Sequence, residues 1–359
     1  MAVRPILIMA GGTGGHVFPA LAVADELRSR GVPIVWLGTR NGIEARVVGQ
    51  AGYQIEWLSI TGLRGKNAAT LLLAPFRLFL ACAQACRVLW QRQPCAVLGM
   101  GGFASGPGGL MAWLMRRPLV IHEQNAVAGL TNRILALLAG NVLQAFPNTF
   151  SKQAMTVGNP VRKEIQQLSD PKLRIGGHTG ALRVLVIGGS LGAVRLNEVV
   201  PEAISRMAAG ARPEILHQTG LSNLETTREC YQQCGVEARI EAFIDDMAEV
   251  YGWADLVICR AGAMTVFELA AAGVASILIP YPHAVDDHQT ANAEYLVKAG
   301  AAILMQQHEL SSAWLSDTVS RLTLERDTLI RMATAARNMA KPKAANEVAD
   351  LCMQAGGLT

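Results

Sequence analysis

The sequence lacks any apolar run long enough to cross a membrane, which takes about 20 residues. Its longest apolar stretch begins at Leu71 and is interrupted by Pro75 and Arg77. The apolar segment near the start, Ile6–Met9, is too short for the core of a signal peptide. These two absences argue against a membrane-spanning helix and against export.

Patterns for metals and disulfides are also scarce. The chain holds seven cysteines, an odd number, and the pairs Cys82/Cys86 and Cys230/Cys234 have helical spacing rather than the CxxC spacing of a zinc site. Such cysteines are typical of reduced thiols in a cytoplasmic enzyme. We therefore expect neither a metal nor another cofactor.

Aromatic residues make up 5% of the chain and do not alternate with runs of Lys and Arg, which argues against a nucleic-acid partner. The net charge of +4 is mildly basic. It fits an anionic small substrate or an acidic membrane surface.

Apolar residues and glycine, by contrast, are abundant. At 359 residues, 51% of them apolar, the chain is long enough for two domains of ordinary size. Short β-type runs alternate with helical segments, which predicts an α/β fold with parallel sheets covered on both faces. The predicted strands are Ile6–Met9, Ile34–Leu37, Ala96–Gly99, Leu119–His122, Val184–Ile187, Ile215–Gln218, Ile240–Phe243, Leu256–Cys259 and Ile277–Pro280.

The two halves of the sequence resemble each other. Leu7–Gly15 and Leu185–Ala193 are both apolar strands that run into a glycine turn with a hydroxyl residue. We therefore expect two Rossmann-like domains, residues 1–160 and 161–337, joined near Asn159-Pro160. An alanine-rich helical tail, about residues 338–359, is expected to return to the first domain.

The first glycine turn, Gly11–Gly15, precedes a helix predicted to begin at Pro19. Its backbone N–H groups and the helix N-terminus favour an anion, although a turn that only packs helix on strand looks the same. Val17 stands where the third glycine of GxGxxG belongs, and no acid ends the second strand, which argues against NAD. Lys66 is followed by Asn67, which argues against an ATP-binding P-loop.

A second glycine loop, Gly99–Gly108, and the polar run His122–Asn125 each follow a predicted strand. In a parallel sheet both emerge at the carboxyl edge, beside the first glycine turn. His122 and Gln124 suit a ligand-binding role and a helix-capping loop equally well.

The second half repeats this arrangement, with Gly188–Gly192 after one strand and Arg260–Glu268 after another. A helix that begins within Ala263–Thr265 would direct N–H groups at a diphosphate. Glu268 could then accept hydrogen bonds from a ribose diol, or it could be an ordinary capping or surface glutamate.

Three consecutive polar residues, Asp286-Asp287-His288, resemble a metal cluster at first sight. Neighbours in sequence rarely converge on one ion, so the pattern favours a helix N-terminus, with Gln289 and Asn292 turned toward a sugar. No DxD motif suited to a metal–diphosphate complex is present.

Together these motifs resemble the MurG family, bacterial peptidoglycan enzymes that add N-acetylglucosamine to lipid I. The resemblance covers nearly the whole chain. It rests on Gly11–Pro19, Gly62–Lys66, Gly99–Gly108, His122–Asn132, Gly158–Arg162, Gly188–Ala193, Phe243–Met247, Ala254–Glu268, His288–Gln289 and Asn292–Ala293.

The resemblance implies a GT-B fold, in which two Rossmann-like domains face a cleft, and an inverting, metal-independent hexosyltransferase. The donor would be UDP-N-acetylglucosamine. The acceptor would be the 4-hydroxyl of undecaprenyl-diphosphate-N-acetylmuramoyl-pentapeptide (lipid I), and the products would be lipid II and UDP.

The resemblance also implies which residues bind the substrates. Glu268 would hold the ribose, Gln289 the sugar hydroxyls, and Ile244 the uracil through its backbone. The implied donor-binding set is Thr13, Gly14, Gly15, Asn125, Arg162, Ser190, Ile244, Ala263, Met264, Thr265, Val266, Phe267, Glu268 and Gln289. The implied acceptor-binding set is Gly101, Gly102, Ser105, Gly106 and His122.

The displacement needs a base near the attacking hydroxyl. We choose His16, because a helix N-terminus disfavours the imidazolium and keeps the ring able to accept a proton. Glu123 is the rival base. A His16 ring that only hydrogen-bonds an acceptor phosphate is the alternative.

A lipid acceptor requires contact with a membrane. The apolar segment Leu71–Leu80 contains Arg77 and lies near Arg64, Lys66 and Arg87, so it suits peripheral binding to an anionic leaflet, although part of it must be a buried helix. The expected location is the cytoplasmic face of the bacterial inner membrane, with cell-wall synthesis and division proteins as partners.

Two other functions remain open from the residues alone. One is a related GT-B UDP-sugar transferase that acts on another lipid or a natural product. The other is a non-catalytic protein that binds a nucleotide sugar or a dinucleotide.

Overall fold

The structure, a computed structural model, describes residues 3–60, 73–150, 154–189 and 192–358. The chain forms two compact units, one of residues 1–162 and 341–359 and the other of residues 163–340. It therefore passes from the first unit into the second and back again.

The first unit is built on a seven-stranded sheet in which every pairing is parallel. Its strands are β1 (Ile6–Met9), β2 (Ile34–Thr39), β3 (Gln54–Leu58), β4 (Ala96–Gly99), β5 (Leu119–Glu123), β6 (Asn141–Gln144) and β7 (Met155–Thr156). Its helices in this part of the chain are α1 (Gly14–Ser29), α2 (Glu44–Gln50), α3 (Ala74–Arg92), α4 (Ser105–Leu114) and α5 (Leu130–Ala136). The strand order is β3-β2-β1-β4-β5-β6-β7.

The second unit is built on a six-stranded sheet, again parallel throughout. Its strands are β8 (Arg183–Ile187), β9 (Glu214–Gln218), β10 (Arg239–Glu241), β11 (Leu256–Cys259), β12 (Ala275–Leu278) and β13 (Ala302–Leu304). Its helices are α6 (Lys163–Gln166), α7 (Pro171–Gly176), α8 (Val194–Ser205), α9 (Leu224–Gln233), α10 (Met247–Trp253), α11 (Ala263–Ala272), α12 (His288–Val297), α13 (Ser312–Leu324) and α14 (Arg326–Asn338). The strand order is β10-β9-β8-β11-β12-β13.

Alternate residues of β1 build two cores in the first unit, one on each face of the sheet. Ile6 and Ile8 join the core under α1, and Leu7 and Met9 join the core under α3 and α4. The last helix, α15 (Ala344–Ala355), completes the α1 face, where Val348 and Cys352 are fully buried. Each large apolar side chain buried in this way contributes about 1.5–3 kcal/mol.

The predicted α/β class, with two parallel Rossmann-like sheets, is confirmed. The predicted start of the first helix at Pro19 is wrong, because α1 begins at Gly14 and Pro19 lies inside it. Proline removes the N–H that would bond to the carbonyl of residue i−4. Here that residue is Gly15, which remains half-exposed in the first turn, where water can satisfy its carbonyl.

Two predicted strands have different bounds in the structure. Ile240–Phe243 is replaced by β10, which ends at Glu241 before Phe243 turns outward, and Ile277–Pro280 is replaced by β12. Strands β3, β6, β7 and β13 were not predicted, since they are short or carry polar residues.

No helix in the described part of the chain is long and apolar enough to span a bilayer.

Candidate active site

Two glycine loops leave the first sheet side by side, where the strand order reverses between β1 and β4. Such a switch point is where open parallel sheets bind ligands. Gly102, at a φ of 84°, lies so close to Gly11 that a Cβ atom would overlap the Gly11 carbonyl oxygen. A Cβ atom on Gly101 would likewise meet the His16 ring. The absence of side chains at Gly101 and Gly102 therefore allows the two loops and His16 to lie close together.

A buried carboxylate braces the first of these loops from below. Glu44 accepts hydrogen bonds from the backbone N–H of Gly12 at 2.9 Å and from both the N–H and the hydroxyl of Thr39 at 2.9 and 2.7 Å. Gly11, Gly38 and Gly42 surround the Glu44 side chain so closely that a Cβ atom at any of them would overlap it. The Gly12 N–H therefore serves the loop and is not offered to a ligand.

Helix α1 starts directly after this loop without a side-chain cap. Thr13 is the N-cap residue, its hydroxyl accepts no capping hydrogen bond, and no acid lies in the first turn. The N–H groups of Gly14 and Gly15 belong to that first turn, which a helix cannot satisfy internally. Thr13, Gly14 and Gly15 thus present backbone donors and a hydroxyl at the switch point.

A chain of polar side chains runs across the carboxyl end of β5. His16 Nδ1 lies 3.0 Å from Gln124 Oε1, Gln124 Nε2 lies 3.1 Å from His122 Nδ1, and His122 Nε2 lies 2.9 Å from the Gly158 carbonyl oxygen. His122 and Gln124 are buried and His16 is half-exposed. Burial lowers the pKa of His122 to about 4, so its ring is neutral.

Glu123 points into a different set of contacts. It accepts hydrogen bonds from the backbone N–H groups of Asn125 and Gly129 and from the side-chain amides of Asn125 and Asn132, at 2.9–3.2 Å. Four donors saturate a buried carboxylate. This geometry gives Glu123 the role of bracing the loop before α5, which weakens it as the rival base. Asn125 is held half-exposed by the same contacts.

Two of the predicted acceptor residues have their polar groups engaged inside the unit. The Ser105 hydroxyl is fully buried and lies 2.8 Å from the Gly101 carbonyl oxygen and 3.1 Å from that of Met9. Both ring nitrogens of His122 are likewise engaged. These hydrogen bonds hold both side chains in fixed orientations inside the unit. Gly106 lies half-exposed in the first turn of α4.

Arg162, the last residue of this part of the first unit, lies with its guanidinium 5.3 Å from the ring centre of Phe18 in α1. This cation–π contact keeps the positive charge close to the start of α1, on the side of the sheet that carries Thr13.

The second unit places its predicted residues at the carboxyl edge of its own sheet. Helix α11 follows β11, with Gly262 as an N-cap that has no side-chain cap and with no acid in the first turn. Glu268 lies one turn further on, 8% exposed, and accepts a hydrogen bond from the Tyr251 hydroxyl at 3.2 Å. Thr265 is half-exposed. Ala263, Met264, Val266 and Phe267 are buried, so only their backbones suit a ligand.

Gln289 follows β12 in the second unit and has its side chain fixed. Its Oε1 accepts hydrogen bonds from the N–H groups of Ala261 and Tyr281, at 3.2 and 2.9 Å. In this orientation the amide N–H₂ group points away from these two backbone N–H groups and can act as a donor. Asn292, expected to face the sugar, is instead buried and donates to the Ala261 carbonyl at 3.2 Å.

Ile244 follows β10, and its side chain is buried. Only its backbone therefore suits a polar contact with a ligand. Ser190 lies outside the described residues. Asp286 and Asp287 have left-handed backbone conformations just before α12. Among the described residues, no group of three or more His, Cys, Asp or Glu side chains is arranged to hold a metal ion.

Some helices in the described residues begin with a capping side chain, and others, including α3, α5 and α12, have neither a side-chain cap nor a first-turn acid. The helices that follow the glycine loops and β11, namely α1, α4, α8 and α11, all start without a side-chain cap or a first-turn acid. Helices α7, α10 and α13 are capped by Asp170, Asp246 and Ser311. Uncapped N–H groups at a sheet's carboxyl edge are suited to bind phosphates.

The sequence did not predict that Glu44 binds the first glycine loop or that Tyr251 donates a hydrogen bond to Glu268. Glu44 lies five residues beyond Thr39 rather than at the strand end, where a ribose-binding acid was sought. The glycines at positions 11, 38 and 42 were the available signal, because a buried side chain needs the room that they leave.

The segment expected at the membrane is exposed where it is described. Leu73, Phe76 and Phe79 at the start of α3 are 50%, 61% and 69% exposed, and Arg77 is exposed between them. Leu71 and Leu72, and the motif Gly62–Lys66, lie outside the described residues. Exposed apolar residues on α4 and α5, including Trp113 and Ile134, were not predicted.

Two family models match the chain. The glycosyltransferase family 28 N-terminal domain matches residues 6–144, and the family 28 C-terminal domain matches residues 183–348.

Similar proteins cover the chain almost completely. A UDP-N-acetylglucosamine--N-acetylmuramyl-(pentapeptide) pyrophosphoryl-undecaprenol N-acetylglucosamine transferase of Nitrosococcus oceani is 55% identical over 356 residues, 99% of each chain. The protein of the same name from Methylococcus capsulatus is 54% identical over 357 residues, again 99% of each. The crystal structure of Acinetobacter baumannii MurG has a TM-score of 0.84 and 41% identity, and covers 98% of this chain and 99% of its own.

Proposed function

The chain belongs to glycosyltransferase family 28, and on that premise we propose that it transfers N-acetylglucosamine from UDP-N-acetylglucosamine to lipid I, giving lipid II and UDP. One observation carries the proposal: the chain is 55% identical, over 99% of both lengths, to a relative named for this transfer. The uncapped helix starts at both carboxyl edges support it, because they suit diphosphates.

The direct test mixes the protein with UDP-N-acetylglucosamine and a short-chain lipid I analogue. We expect UDP release and the disaccharide product, and no product when the analogue is omitted. Disaccharide formation only with a different lipid or a natural-product acceptor would support the related UDP-sugar transferase instead.

A thermal-shift panel distinguishes a UDP-sugar enzyme from a non-catalytic protein that binds a dinucleotide. UDP and UDP-N-acetylglucosamine should raise the melting temperature, since a ligand that binds only the folded state stabilises it, and NAD(H) should not.

For the donor, we propose that the second unit holds UDP-N-acetylglucosamine. The start of α11, Ala263–Thr265, would donate backbone N–H groups to the diphosphate, which the helix dipole also favours. Glu268 would accept hydrogen bonds from the ribose diol, and its contact with Tyr251 supports a fixed carboxylate there. Gln289 would read the sugar hydroxyls with its amide N–H₂ group, because its Oε1 is engaged by backbone donors.

For the chemistry, we propose a single displacement in the first unit's polar network. The acceptor 4-hydroxyl forms a bond to the anomeric carbon, the bond from that carbon to the UDP oxygen breaks, and UDP leaves with the electron pair. His16 takes the hydroxyl proton. Helix dipoles and Arg162 would stabilise the charge on the leaving diphosphate without a metal.

For the acceptor, we propose that its diphosphate contacts the first glycine loop and the backbone of Gly101, Gly102 and Gly106. The positive φ angles of Gly101 and Gly102 support close approach of a ligand to the backbone. Ser105 and His122 would then support the acceptor site through their hydrogen bonds to the backbone of Gly101 and Gly158.

We also propose that the segment Leu73–Leu80 binds the cytoplasmic face of the membrane peripherally, beside cell-wall synthesis and division proteins. Burying an exposed Phe side chain in lipid contributes about 1.5–3 kcal/mol, and each Arg near an anionic surface about 1 kcal/mol. Sedimentation with vesicles that contain anionic lipid tests this with the variant Phe76→Asp/Phe79→Asp.

The matched control for that experiment is Leu324→Asp, a change at an 85% exposed leucine of the second unit. We expect the double variant to stay in the supernatant and the control to sediment. Equal sedimentation of the folded double variant and the unchanged protein would reject the segment as the membrane contact.

A further inference from the structure

Two backbone carbonyl oxygens, those of Gly158 and His122, fix which groups donate and which accept along the chain of side chains from His16 to Gly158. We propose that buried Gln124 and His122 are positioning residues that set the tautomer of His16, with the proton on Nδ1 and the lone pair on Nε2. The inference deepens the proposed function and depends on it for the role of His16 as base.

The orientation of the Gln124 amide follows from its backbone neighbour. The atom assigned as Nε2 lies 3.1 Å from the carbonyl oxygen of His122 and 3.1 Å from His122 Nδ1. A carbonyl oxygen only accepts hydrogen bonds, so the amide atom beside it must be the nitrogen that donates. The carbonyl oxygen of the same amide, Oε1, therefore faces His16.

The protonation of His122 follows from the other end of the chain. Its Nε2 lies 2.9 Å from the carbonyl oxygen of Gly158, so Nε2 carries the proton and donates it there. The buried ring is neutral, as its pKa of about 4 requires. Its Nδ1 therefore has a lone pair, which accepts the N–H of Gln124.

The protonation of His16 then has one solution. Gln124 Oε1 accepts hydrogen bonds and lies 3.0 Å from His16 Nδ1, so Nδ1 must carry a proton. In the neutral ring the lone pair is left on Nε2, which has no hydrogen-bond partner within residues 3–60, 73–150, 154–189 and 192–358. Nε2 is thus the nitrogen that can take the proton of the acceptor hydroxyl.

The relay is held rigidly, which a tautomer selector requires. Asn159 Nδ2 donates to the Gln124 backbone carbonyl at 3.0 Å, and Asn132 Nδ2 donates to that of His122 at 3.3 Å. The His16 ring also lies against Gly101, where any side chain would displace it.

An amide differs from a carboxylate in this position. A carboxylate on Nδ1 would orient the ring but would also favour the imidazolium before the reaction begins. The neutral Gln124 orients the ring without placing a negative charge beside it.

Long-range ¹H–¹⁵N spectra of protein labelled with ¹⁵N-histidine test the proposal directly in the full chain. The seven histidines give seven ring patterns, and the variants His16→Ala and His122→Asn assign two of them. We expect His16 as the Nδ1–H tautomer and His122 as the Nε2–H tautomer at pH 8. A His16 ring in the Nε2–H form overturns the proposal.

The variant Gln124→Leu tests the consequence. We expect His16 to shift toward the Nε2–H form and kcat to fall about 10-fold to 100-fold, short of the ~10²–10⁴-fold loss of a general base, with an unchanged KM for the donor. An unchanged kcat, or a KM change alone, contradicts the relay. The spectra of the unchanged protein decide the tautomer even if this variant does not fold.

The two readouts separate this inference from the proposed function. Absence of UDP release in the unchanged protein, with His16 in the Nδ1–H form, would reject the transfer reaction and leave the tautomer in place. UDP release with His16 in the Nε2–H form would reject the relay alone.

Discussion

The strand order of the second sheet, β10-β9-β8-β11-β12-β13, repeats the order β3-β2-β1-β4-β5-β6 of the first, and in each a glycine loop leaves a central strand at the switch point. The two units use the carboxyl edge of the sheet differently. In the first unit, side chains from separate loops join in a hydrogen-bonded relay from His16 to Gly158, braced by Glu44 and Glu123. In the second, the edge offers mainly backbone donors at the start of α11, with Glu268 one turn behind.

The difference matches two chemical tasks. Proton transfer needs one nitrogen in one protonation state, which requires neighbours that fix it. Binding a diphosphate needs several N–H groups and a favourable dipole, which a helix start supplies without special side chains. We therefore expect changes in the first unit to affect turnover and changes in the second to affect donor affinity.

The largest expected effect is on turnover. His16→Ala should lower kcat about 10²–10⁴-fold, because it removes the proposed base, and should leave donor affinity nearly unchanged. UDP release at saturating lipid I analogue measures it. The matched control is His308→Ala, an exposed histidine in the second unit. Near-normal turnover of His16→Ala would remove this residue from the chemical step.

The next effect is on the pH dependence of stability, and it tests a feature that the two units share, a buried histidine. Burial lowers the pKa of His122 to about 4 and that of His217, in the second sheet, to about 3. Both values lie below the ordinary 6.5, so the unfolded chain binds more protons as the pH falls, and stability is lost on acidification. Between pH 6.5 and 4, His122 alone should lower the free energy of unfolding by about 3 kcal/mol.

Urea unfolding at several pH values measures this slope. His122→Asn and His217→Asn should each make the free energy of unfolding less dependent on pH in that range. A slope that neither variant alters would mean that carboxylates, rather than these rings, control the acid response.

A smaller effect should appear in donor binding alone. Glu268→Gln keeps an acceptor for Tyr251 but removes the charge that strengthens hydrogen bonds to the ribose, which is expected to cost about 1.5–3 kcal/mol. UDP affinity by calorimetry should fall about 10-fold to 100-fold. The control Glu229→Gln changes an exposed glutamate of α9. Equal affinities in the two variants would contradict the assignment of Glu268.

The smallest expected effect compares two N-caps. Ser311 accepts a hydrogen bond from the N–H of Trp314, whereas Thr13 makes no capping bond. Ser311→Ala should therefore destabilise the fold by about 1 kcal/mol, and Thr13→Ala should change the free energy of unfolding by less than about 0.5 kcal/mol. A large loss from Thr13→Ala would show that its hydroxyl stabilises the helix rather than being available to a ligand.

The sequence predicts the central strands of each sheet well, because strands such as β1, β4 and β11 are continuous apolar runs that end at or shortly before a glycine. It does not predict β3 or β6. In β3 the segment Gln54–Leu58 alternates polar and apolar residues at the side of the sheet, and its strand state depends on pairing with β2.

The sequence does not predict hydrogen-bond partners that come from distant parts of the chain. The pattern around His122 suited a ligand-binding role and a helix-capping loop equally, and it gave no sign that the Gly158 carbonyl, 36 residues later, is the partner of its Nε2. In the same way, the sequence gives no sign that Asn132 and Gly129 donate hydrogen bonds to Glu123. Periodicity identifies which residues reach the sheet edge, whereas hydrogen bonding between loops decides which of them remain available.

Helix α15 has a consequence for the order in which the protein can be completed. The core beneath α1 includes Val348 and Cys352, which the ribosome releases only after the whole second unit has been made. A nascent chain that carries residues 1–162 therefore still exposes the apolar surface that α15 covers. The first unit is therefore completed after the second, and a premature stop after Ala340 would leave the second unit whole and the first one open.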